Sequence, residues 1–128
     1  MLAECRSFAI ETTLSGNSEI RLMRDAVALG YKVNLVFVGV KSDAVSLGRV
    51  AHRVRMGLHY VPPEDILRRY QRSMDNLPIA MQIAARTPVV DNTGKGFRLL
   101  LVRRDGRTRL AVSKLPAWVT KAIPAELR

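Results

Sequence analysis

The chain is poor in the residues that hold disulfides and metal ions. Of its 128 residues one is cysteine, Cys5, and two are histidines, His52 and His59. A single thiol excludes an intrachain disulfide and a cysteine zinc site, and two histidines are too few for a histidine metal cluster. A lone thiol is also typical of the reducing cytoplasm, where we expect the protein to work.

Long apolar runs and aromatic residues are scarce as well. No stretch reaches the ~18 apolar residues of a membrane-spanning helix, and residues 1–6 lack the basic-then-apolar pattern of an export signal. We therefore expect no membrane partner. Aromatic residues make up 5% of the chain, so a stacking platform for bases would rest on very few rings.

Acidic residues are outnumbered, with 11 against 21 basic ones and a net charge of +10. Residues 1–45 are neutral, residues 46–86 carry +4, and residues 87–128 carry +6. Such a balance favours anionic partners: nucleotides, phosphorylated substrates, nucleic acid or an anionic membrane surface. At 48% hydrophobic and 25% charged, the composition is otherwise that of an ordinary globular domain.

The first half of the sequence reads as alternating strands and helices. A short strand ends at Glu11, and a helix with Asn17 or Ser18 as its N-cap follows and stops at Gly30. The run VNLVFVGV (33–40) is almost continuously apolar, which predicts a parallel strand buried on both faces. A second helix, capped by Ser42, is expected to run to about Met56.

The second half predicts a long helix and then antiparallel strands. Pro62 and Pro63 precede two acidic residues, a good helix start, and Pro78 is expected to break or restart that helix. A short strand covers 87–91, and Asp105-Gly106 is a strong hairpin signal. The fold class is therefore α/β, with parallel strands first and a C-terminal β-hairpin; we place one domain at 1–112 and a tail at 113–128.

Three groups of residues are candidates for chemistry. The first is the loop from Glu11 to Gly16, rich in hydroxyls, because ligands of open α/β sheets bind at the carboxyl ends of strands. The same loop is also an ordinary strand-to-helix turn, the more common case. The second group is the arginine set Arg49, Arg53, Arg55, Arg68, Arg69 and Arg72, in which guanidinium groups suit phosphate oxygens but equally make a solvated basic face.

The third group, Asp91 and Asn92 before Thr93-Gly94, can edge a base pocket, although Asp, Asn and Gly most often form a plain turn. His59, which precedes Val61-Pro62, either reaches a phosphate or hydrogen-bonds its own loop. We favour the structural role for His59, because a lone histidine is a nonspecific signal.

In order and spacing over roughly residues 5–100, the sequence resembles the zeta-toxin-type family of P-loop kinases. The matching segments are FAIETTLSG (8–16), GY (30–31), RVAHRV (49–54), GLHYVP (57–62), RRYQRSMDNL (68–77) and DNTG (91–94). Each is weak alone, but the ordered set is fairly specific. The resemblance implies transfer of a phosphoryl group from ATP with Mg²⁺ to a small hydroxyl substrate, of the UDP-N-acetylglucosamine type.

The resemblance also implies roles for individual residues. Glu11 would be catalytic, and Thr12, Thr13 and Ser15 would line the substrate and magnesium side. Lid-type contacts with ATP phosphates would come from arginines, in the first place Arg53 and Arg69, together with Arg49 and Arg68. Asp91 and Asn92 would lie near the base. No metal ligand set can be named from the sequence.

The sequence departs from the family at its most important motif. A kinase of this type needs a G-x-x-x-x-G-K-[ST] loop, which cradles the phosphates with backbone N–H groups. No such motif occurs in the chain, the family's acidic general base is absent, and Leu58 replaces a usual glycine. We therefore expect an incomplete P-loop-kinase-like sheet with part of the edge of strand 33–40 open, and little or no activity from this chain alone.

Two other functions compete with a kinase. The charge and the hairpin arginines Arg103, Arg104, Arg107 and Arg109 predict a non-enzymatic nucleic-acid-binding module, although no aromatic-rich motif accompanies them. A noncatalytic remnant that binds a partner, such as an antitoxin or a second copy, is the third possibility.

Overall fold

The structure, a computed structural model, describes residues 7–12, 14–55, 57 and 62–128. Its elements follow one another as five strands and four helices: β1 Ser7–Thr12, α1 Asn17–Ala28, β2 Lys32–Gly39, α2 Asp43–Arg55, α3 Pro63–Ile83, β3 Arg86–Asp91, β4 Arg98–Arg104, β5 Arg107–Leu110 and α4 Ala117–Ala122. A 3-10 turn at Ala125–Leu127 ends the chain. The predicted α/β class with a C-terminal hairpin is confirmed.

The strands form one open, mixed sheet in the order β1-β2-β3-β4-β5. β1, β2 and β3 are parallel, while β4 and β5 are antiparallel additions. The hairpin between β4 and β5 turns at Asp105 and Gly106, both with positive φ, as the Asp-Gly pair predicts. The expectation of an open edge on strand 33–40 is wrong, because β1 pairs along one edge of β2 and β3 along the other.

The two faces of this sheet differ. Along β2, Val33, Leu35, Phe37 and Gly39 are buried, whereas the residues between them are only half-buried. We call the first set and its register partners the core face, and the set containing Asn34, Val36 and Val38 with its partners the outer face. The prediction that this strand is buried on both faces is therefore wrong, since the described helices supply apolar side chains to one face.

The core is the layer between the core face and the helices. Its helical members are Ile20, Met23 and Ala26 of α1, Leu77, Ala80 and Met81 of α3, and Trp118 and Val119 of α4. In α1 and α3, spacings of three and four residues place them on one side of the helix. Ile123 and Leu127 belong to the same cluster, so the segment after residue 112 packs into the core of the sheet.

The helix ends agree well with the local sequence signals. Gly30 and Gly57 have positive φ after α1 and α2, and the Ser42 hydroxyl accepts a hydrogen bond from the Val45 N–H at 3.4 Å at the start of α2. The predicted N-cap of α1 is wrong: the helix begins at Asn17 with Gly16 as its N-cap, and no side chain caps it. The prediction at Pro78 is wrong: α3 continues through it to Ile83, because Leu77, Ala80 and Met81 on either side are held in the core.

One close contact connects the C-terminal segment to the sheet. The indole of Trp118 lies over Gly39 so closely that a Cβ on Gly39 would come within 2.6 Å of its Cη2 atom. The ring also lies against Phe37, with centroids 6.2 Å apart. Gly39 is therefore needed for the close approach of α4 to β2.

Candidate functional site

The carboxyl ends of the three parallel strands meet at one edge of the sheet. Gly39 at the end of β2 is in register with Asp91 at the end of β3, and Thr12 at the end of β1 is in register with Phe37. Three connections leave from this edge: the loop to α1, the turn to α2, and the turn at residues 92–96. This edge, which we call the carboxyl edge, is where ligands bind in open α/β sheets.

The turn after β3 is built by its own polar groups. The Asp91 carboxylate accepts hydrogen bonds from the Thr93 N–H, at 2.7 Å, and from the Thr93 hydroxyl. That hydroxyl in turn accepts one from the Lys41 N–H at 2.9 Å. The turn after β3 is thus connected to the turn after β2.

Arg49 fastens helix α2 to the same turn. Its guanidinium donates to the carbonyl oxygens of Asn92 and, at 3.2 Å, Thr93. Arg49 therefore positions the turn that contains Asn92 and directly follows Asp91, the two predicted base-binding residues. Arg49 is half-buried, and a phosphate could be bound only by those guanidinium N–H groups that do not already donate to the two carbonyl oxygens.

Helix α3 fixes the other two connections. The Asn76 amide donates to the carbonyl oxygens of Leu14, at 2.7 Å, and Gly16, at 3.4 Å, so it shapes the loop that carries Ser15. The Tyr70 hydroxyl donates to the Val40 carbonyl at 3.1 Å, just after β2. Both residues lie in the segment 68–77 that resembles the zeta-toxin family.

A cleft of about 550 Å³ opens beside this edge, between the start of α2, helix α3 and helix α4. Lys41 and Ser42 line it from the sheet, Tyr70 and Met74 from α3, and Lys121 from α4. Trp118 lines it too, is 5% exposed, and has an indole N–H without a hydrogen-bond partner among the described residues. The polar lining thus combines two ammonium groups and two hydroxyls with one carboxylate, Asp75, so a ligand with both anionic and hydrogen-bonding groups and an apolar part suits it.

The predicted arginines are not all brought together. Arg68 and Arg69 are exposed on α3, and Arg68 forms an ion pair with Asp65 one turn earlier. Arg49 lies at the turn after β3, as described above. Arg53 is on α2, four residues after Arg49, but its side chain lies outside the described part of the chain.

The loop for which catalytic and substrate-binding roles were predicted is described only in part. Glu11 and Thr12 end β1 and are in register with Val36 and Phe37, so they occupy successive positions of the strand. Their side chains, all of Thr13, and His59 lie outside the described residues. Ser15 is half-buried beside the start of α1. The roles assigned to these residues stay predictions.

Sequence reasoning missed Asn76, Tyr70, Lys41 and the cleft residues of α4. A tyrosine and an asparagine at helical spacing with the apolar residues of α3 were the available signal, since polar side chains on the packed side of a helix need partners. The contribution of α4 depends on a contact between residues 39 and 118, for which no local pattern exists.

Comparisons with known proteins give one partial match. Over 63 residues this chain is 36% identical to an uncharacterized protein of Haemophilus influenzae, and the match covers 49% of this chain and 45% of that protein. No protein-family model matches the sequence. No solved structure matches it.

Two further observations limit the chemistry of the described residues. No group of three or more His, Cys, Asp or Glu side chains in them is placed to hold a metal ion. None of the described helices combines the length and apolar character needed to cross a bilayer.

Proposed function

We propose that the carboxyl edge is the nucleotide and acceptor side of a kinase-like fold, and that this chain corresponds to the C-terminal part of a zeta-toxin-type kinase. The supporting observation is the meeting of three family-like segments at one edge. Residues 11 and 12 end β1 and residues 14–16 follow it, residue 91 ends β3 and residues 92–94 follow it, and residues 68–77 on α3 contact the connections after β1 and β2. Segments that are weak signals separately are therefore neighbours in space.

In this proposal the residues divide the work. The side of the site that takes Mg²⁺ and the hydroxyl acceptor, of the UDP-N-acetylglucosamine type, is lined by Glu11, Thr12, Thr13 and Ser15. Arg53 and Arg69, together with Arg68, bind phosphate oxygens of ATP, since guanidinium groups stabilise charge on a transferring phosphoryl group. Arg49 positions the turn at Asp91 and Asn92, which border the base.

The chain alone is proposed to bind weakly and to turn over little. It has no phosphate-binding loop, so ATP and Mg²⁺ lack their main cradle of backbone N–H groups. Loss of preorganised groups of this kind removes roughly 3–4 kcal/mol of transition-state stabilisation for each donor lost. Binding to the carboxyl edge is thus expected without efficient phosphoryl transfer.

Calorimetric titration of the chain with Mg·ATP tests the proposal. We expect weak saturable binding that the variant R69A reduces at least fivefold and that R21A, an exposed arginine on α1, leaves within twofold. Equal loss in both variants, or no saturable binding at millimolar ATP, contradicts the proposal.

A second assay tests incompleteness separately. In a mixture of the chain, Mg·ATP and UDP-N-acetylglucosamine, the rate of ADP release is expected to equal that of the same mixture without protein. Robust turnover by this chain alone overturns the claim that it is catalytically incomplete, while leaving the binding proposal intact.

A further inference from the structure

The outer face of the sheet has an apolar half and a basic half. Register places Val38, Val90 and Leu99 in one row near the carboxyl edge, and Leu99 is 43% exposed. Phe97, just before β4, is 72% exposed. Toward the middle of the sheet Pro88, which is buried, is paired with half-buried Val102, so the accessible apolar surface lies at Leu99 and Phe97.

The basic half is a row of arginines across three strands. Arg86 on β3 is in register with Arg104 on β4, which is in register with Arg107 on β5. Arg109 is the next outer-face residue of β5. All four are exposed, and their only ion pair among the described residues is a contact of 4.0 Å between Arg104 and its neighbour Asp105.

This row is unfavourable in the isolated chain. Like charges directly opposite each other across strands are destabilising. On β2 the polar residues of this face are Lys32, a further exposed cation, and Asn34, which is in register with Arg86 and carries no charge. The arginines thus lower stability where they stand, which a function in binding an anionic group would explain.

The sequence of β2 indicates that the apolar half also has an occupant. Its continuous apolar run is typical of a parallel strand covered on both sides, yet the described helices cover only the core face. The usual cover for such a sheet is a layer of helices on each face.

We propose that the outer face docks an amphipathic helix of another protein, with an apolar stripe on the valine half and a cluster of acidic residues at one end against the arginine row. Val90 is four residues from Arg86, roughly 13 Å along the strand. At ~1.5 Å per helical residue, the acidic cluster lies about nine residues from the centre of the apolar stripe.

Two other occupants fit less well. A second copy placed symmetrically on this face would set the arginine row against either the partner's arginine row or the partner's apolar half, and neither supplies acidic groups. A nucleic-acid backbone would neutralise the arginines but would leave the valine half and Leu99 uncovered by apolar groups. An acidic amphipathic helix satisfies both halves at once.

Selection from a phage-displayed library of random 20-residue peptides, with the full chain as the target, tests the proposal. Enriched peptides are expected to have apolar residues at spacings of three and four and a terminal acidic cluster. A synthetic peptide of the enriched consensus is then titrated by fluorescence anisotropy. We expect the double variant R104E/R107E to weaken its binding at least tenfold.

Matched controls separate this face from general attraction by a basic protein. R21E/R24E makes the same charge change on the exposed side of α1 and is expected to weaken binding less than twofold. L99N is expected to weaken it at least threefold, and L22N, at an equally exposed leucine of α1, to have little effect. The L99N and L22N pair also keeps the test intact if the double variant folds poorly.

Five results overturn the proposal. These are a failure to enrich any peptide, enriched peptides without acidic residues, and equal loss in R104E/R107E and R21E/R24E. The fourth is binding of a 20-nucleotide single strand that R104E/R107E abolishes while no peptide binds, which would assign the face to nucleic acid. Sedimentation showing a dimer that R104E/R107E dissociates would likewise assign it to a second copy.

Discussion

The two faces of the sheet are made from the same strands but differ in how completely their side chains are buried. On the core face, Val33, Leu35 and Phe37 are closed off by three helices, and α4 approaches β2 closely enough to require Gly39. On the outer face, Val36 and Val38 are half-buried and lead to exposed arginines. The comparison teaches that the core face accounts for stability, whereas the outer face keeps charges that stability does not favour.

The largest difference between the faces is expected for neighbouring residues of β2. Phe37→Ala removes a fully buried ring and should lower the free energy of unfolding by about 3–5 kcal/mol. Val36→Ala on the outer face should cost about 1 kcal/mol or less. Urea unfolding followed by circular dichroism measures both, and similar losses would remove the distinction between the faces.

The contact between Gly39 and Trp118 can be tested with two glycine-to-alanine substitutions that should change stability in opposite directions. Gly39→Ala places a Cβ within 2.6 Å of the indole and should destabilise by about 1–3 kcal/mol. Gly48→Ala, inside α2 with nothing within 4 Å of its Cβ position, should stabilise by up to about 1 kcal/mol. Thermal unfolding of the two variants compares them directly, and a neutral Gly39→Ala would mean that α4 does not pack as described.

The carboxyl edge depends on polar contacts from the core side. Asn76→Ala removes two hydrogen bonds to the loop at 14–16 and should cost about 1–3 kcal/mol. Gln71→Ala, which breaks an exposed contact with Asp75, should change stability by less than about 0.5 kcal/mol. Urea midpoints of this pair decide whether α3 holds the loop, since equal midpoints would show that it does not.

The smallest expected effect is a gain in stability from a substitution on the outer face. Arg107→Glu places a carboxylate opposite Arg104 and should stabilise the chain by about 0.2–1 kcal/mol. The gain should shrink in 1 M NaCl, where screening acts over about 3 Å. Arg24→Glu on α1 controls for the change in net charge, and an equal gain there would show that the arginine row has no special strain.

Much of the fold follows from local signals in the sequence. Gly30, Ser42, Gly57 and the Asp105-Gly106 pair mark element ends because each satisfies a backbone geometry or a terminal N–H by itself. Pro78 does not end its helix, although proline removes one helical hydrogen bond. The burial of Leu77 and Met81 on either side of it offsets that cost.

The tertiary features were less accessible from the sequence. An apolar run cannot show how many layers will cover a strand, so the half-buried outer face of β2 was not predictable from residues 33–40. The residues predicted for the site at the ends of β1 and β3 lie at the carboxyl edge, while their roles stay predictions. The hydrogen bonds from Arg49 to two carbonyl oxygens were not predicted, because their partners lie 43 and 44 positions further along the sequence.

A site-resolved titration tests the central claim most directly. Amide NMR spectra of the isotopically labelled chain, recorded as Mg·ATP is added, report which residues sense the nucleotide. The account predicts saturable changes at Lys41, Ser42 and the turn 92–96, with the arginine row of the outer face unchanged. Changes spread over Arg86, Arg104 and Arg107 with none at the carboxyl edge would contradict it and reduce nucleotide binding to general attraction by positive charge.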